Sequence, residues 1–163
     1  MKIGKRMEKA LNEQINKELY SAYIYLSMSA YFDKENFSGF AHWMKKQANE
    51  EIEHAMKIYH YIYERGGSVQ LKAIDEPDLK WNSPLEVFEG AYEHEKHVTD
   101  LINKLVDLAI EEDDKATQVF LNWFVNEQVE EEASADEIVE KLKMIGDSAQ
   151  GLIMLDKVLG QRE

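Results

Sequence analysis

Apolar residues recur at alternating steps of three and four through four long stretches of the chain, the spacing that keeps one face of an α-helix dry. The pattern predicts helices over 5–33, 36–65, 84–112 and 115–145, each ~42–46 Å long at 1.5 Å per residue. Start and stop signals agree: Gly66-Gly67 closes the second, Ser83-Pro84 opens the third, Asp113-Asp114 can cap the fourth, and Gly146 ends it. The one long connection, between Gly66 and Ser83, exceeds a helix–helix turn. At ~3.3 Å per residue it reaches beyond ~50 Å, far enough to join two antiparallel hairpins by a crossover along a bundle. After Gly146, residues 148–159 form a short amphipathic fifth helix. The expectation is one all-α domain over 1–163: a four-helix bundle with a long crossover connection and a short fifth C-terminal helix.

The inward seam of each helix is mostly apolar, and each is broken by glutamate. The first runs Leu11, Ile15, Glu18, Ala22, Tyr25, Ser29, Phe32; the second, Phe40, Met44, Gln47, Glu51, His54, Ile58, Tyr61. The third runs Leu85, Phe88, Tyr92, Glu95, Thr99, Ile102, Val106, Ala109; the fourth, Leu121, Phe124, Gln128, Glu131, Ala135, Ile138, Leu142, Ile145. The glutamates lie near mid-helix, so pairing brings four carboxylates and the His54 imidazole to one height in the core. Burying unpaired charges costs several kcal/mol each, and like charges raise one another's pKa values. No lysine or arginine stands in the seams to neutralise them. Two divalent cations would leave the core formally neutral. Glu51 and His54 form a Glu-x-x-His pair that leaves one helix face together, and oxygen-rich ligation with one imidazole suits iron or manganese. His42, His60, His94 and His97 fall off the seams and read as surface or local packing residues.

Composition narrows the alternatives. Of 163 residues 44% are hydrophobic, enough for a core, and none is cysteine, so thiolate sites and disulfides are excluded. Acids outnumber bases 32 to 19, a formal charge of -13, which disfavours nucleic acid and anionic membrane partners. No signal peptide or membrane span is evident, and the expected compartment is cytoplasmic. The first helix carries a second apolar surface (Leu19, Tyr20, Tyr23, Ile24, Leu26, Tyr31), more than a helix with one face in water needs; a partner subunit would cover it.

The chain resembles the bacterial and archaeal non-haem ferritins through Asn-Lys-Glu-Leu-Tyr-Ser-Ala-Tyr (16–23), Asn-Glu-Glu-Ile-Glu-His-Ala-Met (49–56), Tyr-Glu-His-Glu-Lys (92–96) and Asn-Glu-Gln-Val-Glu-Glu-Glu (126–132). The resemblance implies a ferritin-like bundle whose fifth helix lines a symmetry axis of a twenty-four-subunit shell. It implies a di-iron ferroxidase centre in which Glu18 and His54 bind one iron, Glu51 bridges, and Glu95 with Glu131 bind the other. It further implies a third iron site at Glu50, Glu127 and Glu130, a redox-active Tyr25, and Gln128 beside the second iron. The implied function is oxidation of Fe(II) by dioxygen or peroxide and storage as ferric oxyhydroxide. Haem is not expected: the second Glu-x-x-His of bacterioferritins would need histidine at Ser134, and their haem-ligand methionine position is Ile52. The positions matching the acidic pore lining of animal ferritins are Gln118 and Leu121.

Overall fold

The computed structural model describes residues 1–163 and contains five helices and no strand: α1 Lys5–Lys34, α2 Ser38–Glu64, α3 Pro84–Glu111, α4 Lys115–Ile145 and α5 Ala149–Leu159. The expected all-α bundle with crossover and fifth helix is therefore the observed one. Its boundaries differ from the periodicity for local reasons. Asn36 adopts φ 63, a left-handed step that no helix continues through, so α2 starts two residues late. Gly66, at φ 68, turns the chain out of α2, and the Gly67 N–H returns to the Ile62 carbonyl at 2.9 Å. Asp113 takes φ 53, so capping of α4 falls to Asp114 alone, whose carboxylate accepts the Thr117 N–H at 3.1 Å. Ser83 and Ser148 cap α3 and α5 by accepting N–H groups three residues on.

The helix pairs α1/α2 and α3/α4 are hairpins, and α1 also lies against α3. The connection 65–83 runs the length of the bundle: Ser68 donates its N–H to Glu8 near the start of α1 at 2.7 Å, while Trp81 meets Tyr31 near its end. Asn16 and Ser27 of α1 donate to the Ala73 and Asp78 carbonyls of this connection. The crossover thus covers part of the second apolar surface of α1. Tyr23 and Leu26 of α1 stay exposed, as do Leu71, Ile74 and Leu79 of the connection. No helix is long and apolar enough to cross a membrane.

The core is in two halves. One gathers Phe32, Phe40, Trp43, Phe88 and Leu142; the other gathers Met7, Leu11, Ile58, Ile62 and Ile102. Between them lie the buried polar residues Glu18, Gln47, Glu51, His54, Glu95, Gln128 and Glu131. The two apolar halves hold the helices rigidly on both sides of a polar layer. Leu121 is fully buried in the second half. Gln118 donates its side-chain amide to the Ala109 carbonyl at 3.1 Å.

α5 docks on the start of α2. Leu155 enters the first core half, and the Asp156 carboxylate accepts the Phe40 N–H at 2.9 Å, one of the amides that a helix N-terminus leaves unpaired. Gly39 permits the approach, because a Cβ there would lie 1.7 Å from the Asp156 carbonyl oxygen. Gly39→Ala is expected to displace α5 and cost about 1–3 kcal/mol, read as a lower denaturation midpoint; an unchanged midpoint would show that α5 is not held at this contact.

Candidate metal centre

Four helices each deliver one glutamate into the polar layer. Single oxygen or nitrogen atoms of Glu18, Glu51 and His54 lie within 4.8 Å of one another, as do those of Glu51, Glu95 and Glu131, and those of His54, Glu127 and Glu131. Glu51 belongs to both all-core sets. His54 Nδ1 is 3.4 Å from Glu51 Oε2 and 4.0 Å from Glu18 Oε2, while its Nε2 is 3.8 Å from Glu127 Oε1. The imidazole stands edge-on to Trp123 and Phe124, which limits its rotation.

Amide side chains anchor the carboxylates. Gln14 donates to Glu18 Oε1 at 2.8 Å. Gln47 donates to both Glu51 Oε1 at 3.1 Å and Glu131 Oε2 at 2.6 Å, spanning the two triads. Gln128 donates to Glu95 Oε2 at 3.1 Å, and the Tyr25 hydroxyl donates to Glu95 Oε1. Glu18 Oε2 is buried without a hydrogen-bond partner. A native core rarely leaves a carboxylate oxygen so, and the oxygen faces His54, where a cation would satisfy it.

Electrostatics agree. Burial, then the charge of Glu51, pushes the Glu18 carboxyl well above the ordinary range. Burial, then Glu95 and Glu131, does the same to Glu51. Glu131 rises to about 8, from burial and then Glu95. Glu95 rises less, since the Tyr25 and Gln128 hydrogen bonds oppose its burial. The Tyr25 phenol is pushed up by burial and the adjacent carboxylates. Such a cluster is strained with protons or negative charge and relieved by divalent cations.

The three outer acids do not gather as a set. Glu127 joins His54 and Glu131 instead; Glu50 and Glu130 are near enough to raise its pKa, after the larger effect of burial. Glu130 is exposed, and Glu50 is bound by Arg162 at 2.7 Å. A cleft lined by Glu50, Glu53, His54 and Glu127 opens the centre to solvent. Of the remaining histidines, His60 and His97 are exposed, and His42 donates to the Arg162 carbonyl at 2.6 Å. His94 is half-buried against Ser21 at 2.7 Å, with its pKa lowered to about 4 by burial and then His97.

Residues 8–145 match the family described as a ferritin-like domain. A bacterial non-heme ferritin of Bacteroides fragilis (strain 638R) is 53% identical over 160 residues, covering 98% of this chain and 99% of the relative. The chain belongs to the non-haem ferritins. A second bacterial non-heme ferritin, from Staphylococcus aureus (strain MRSA252), is 41% identical over 98% of this chain and 96% of its own. The crystal structure of an open pore ferritin from the hyperthermophilic archaeon Archaeoglobus fulgidus superposes with a TM-score of 0.99 at 53% identity, covering 100% of both chains. Membership assigns iron storage to this ferritin and makes iron the metal its carboxylate and imidazole groups would meet.

Gln14 and Arg162 take part in the centre without having stood out in the sequence, and Gln47, already on the seam of the second helix, does so in a role the seam did not assign it. The two glutamines carry a signal: each precedes its glutamate by four residues, one helical turn, at 14/18 and 47/51. Arg162 carries none.

Proposed function

We propose that this ferritin oxidises Fe(II) to Fe(III) at the centre of Glu18, Glu51, His54, Glu95 and Glu131 and stores the product as ferric oxyhydroxide in a cytoplasmic, homo-oligomeric, twenty-four-subunit shell. The observation that carries this reading is the membership of Glu51 in two triads, one with Glu18 and His54 and one with Glu95 and Glu131; a carboxylate that serves two ions must occupy that position.

Iron is the substrate. Glu18 and His54 take one Fe(II), Glu95 and Glu131 the other, and Glu51 bridges. Each Fe(II) gives one electron, so a pair takes dioxygen and two protons to hydrogen peroxide, or hydrogen peroxide and two protons to two waters. Gln14, Gln47 and Gln128 hold one oxygen of each carboxylate and so fix the direction of the other. Anionic oxygen donors stabilise Fe(III) more than Fe(II), which draws the electrons toward the oxidant. Tyr25, hydrogen-bonded to Glu95, orients that ligand and lies close enough to supply a further electron. Gln128 attends the second iron, and Glu50, Glu127 and Glu130, which do not gather as a set in this structure, form a third site when a cation draws them together.

Aerobic addition of Fe(II) to apoprotein, followed by ferric absorbance and then separation by size, tests this reading. Oxidation well above the buffer rate is expected, with iron travelling in a very large particle. Oxidation at the buffer rate would overturn the ferroxidase; a small, iron-free species would overturn storage.

A further inference from the structure

The last turn of the chain reaches the metal centre. Beyond α5, Gly160 packs against Gly39, where a Cβ on Gly160 would lie 3.1 Å from the Gly39 Cα, and His42 holds the Arg162 carbonyl. The guanidinium then lies over the Trp43 ring at 4.6 Å and donates to the Trp43 carbonyl at 3.3 Å. It also donates to Gln47 Oε1 at 3.0 Å and to Glu50 Oε2 at 2.7 Å.

Both last contacts bear on iron. Gln47 spends its amide hydrogens on Glu51 and Glu131, so a donor on its oxygen fixes the amide in the orientation those carboxylates need. Glu50 is held on the guanidinium, outside every group whose ligand atoms lie within 4.8 Å of one another. The pair is half-open to water, with side chains 22% and 39% exposed, so a cation can compete for it. A guanidinium–carboxylate contact blocks a cation from the same oxygen while it lasts.

We propose that Arg162 is a positioning residue that holds Glu50 away from the third iron site, so that a third cation binds only by displacing this C-terminal latch. The latch rests on the ferroxidase reading above, because it presumes cations at the neighbouring pair. It makes occupancy of the third site depend on how α5 and the tail are seated, linking the C-terminal end of the chain to the fate of iron leaving the centre.

Calorimetric titration of apoprotein with Zn(II), which does not oxidise, tests it on the intact protein. In the wild type two cations per subunit are expected to bind tightly and a third weakly. Arg162→Gln is expected to tighten the third about three- to tenfold, the range for a partly exposed charged pair. Arg162→Lys keeps the charge and stays near wild type, and Arg162→Gln combined with Glu50→Gln loses the gain. A third cation bound equally in wild type and Arg162→Gln overturns the latch, as does a gain that survives Glu50→Gln. Wild-type protein that binds no tight pair overturns the ferroxidase reading and the latch with it; a tight pair with an unaltered third site overturns the latch alone.

Discussion

Glu51→Gln is expected to lower the initial rate of aerobic Fe(II) oxidation by about 100-fold or more while leaving the apoprotein at least as stable as wild type. The two effects come from the same contact set. Glu51 belongs to both core triads, so on the proposed reading its loss weakens both iron positions at once, and a bridging charge is worth several kcal/mol, at about 1.4 kcal/mol per tenfold in rate. Without metal, the carboxyl is a buried group crowded by Glu95 and Glu131, and an isosteric amide removes that repulsion. Stopped-flow oxidation and a denaturant melt of the same preparation check both halves. Glu137→Gln, at an exposed position outside the clustered groups and the third site, is expected to change the rate less than about twofold over the same assay. A Glu51→Gln rate above a tenth of wild type would remove Glu51 from the bridging position, and a large loss of stability would mean that its carboxylate holds the fold rather than the substrate.

The centre is legible in the sequence to the extent that burial dictates it. A glutamate on an apolar seam must be paired, and four at one height with no cation in the seams leave few partners but metal. The structure places all four of those glutamates and His54 in the buried layer. On α3 the seam is displaced: Leu85, Tyr92, Thr99 and Val106 are half-buried, while Val87, Ala91, Val98 and Leu105 are buried, because the apolar residues of this helix form a stripe wide enough to admit either set and packing selects the second. Contacts set by docking are not legible. Arg162 reaches Glu50 only because α5 folds back on α2 through the Asp156–Phe40 bond and the close pass of Gly39, neither of which periodicity describes. For the same reason the seams contain no neutralising base, yet one reaches the rim of the centre from the far end of the chain. Asn36 and Asp113 show the same limit on a local scale: left-handed turns at non-glycine residues are invisible to patterns of polarity.

The apoprotein is expected to lose stability as pH rises from about 4.5 to about 8, and bound cations to reverse that trend. An unfolded glutamate titrates near 4.3, whereas Glu131 in the fold titrates at about 8, and Glu18 and Glu51 are also pushed well up. Below the unfolded value both states hold the proton and nothing is lost. Above it the unfolded chain releases protons that the fold retains, so stability falls by roughly 1.4 kcal/mol per pH unit per carboxyl until the folded group ionises. Asp114, lowered by its bonds to Thr117 and Arg65 against its burial, loses its effect only in acid, below the window in question, and His94, lowered to about 4 by burial, opposes the trend up to its unfolded value near 6.5 but is one group against three carboxyls. Cations require the ionised carboxylates, so they bind more tightly as pH rises and displace protons as they bind. Denaturant midpoints of chelator-treated protein at pH 5.5, 6.5 and 7.5, with and without Zn(II), should therefore slope in opposite directions. Titration at pH 7 in buffers of different ionisation enthalpy should register protons released at the tight sites. An apoprotein whose midpoint rises through this window, or cation binding with no proton release, would mean that the four carboxyls are already ionised in the empty fold and that some other group carries their charge.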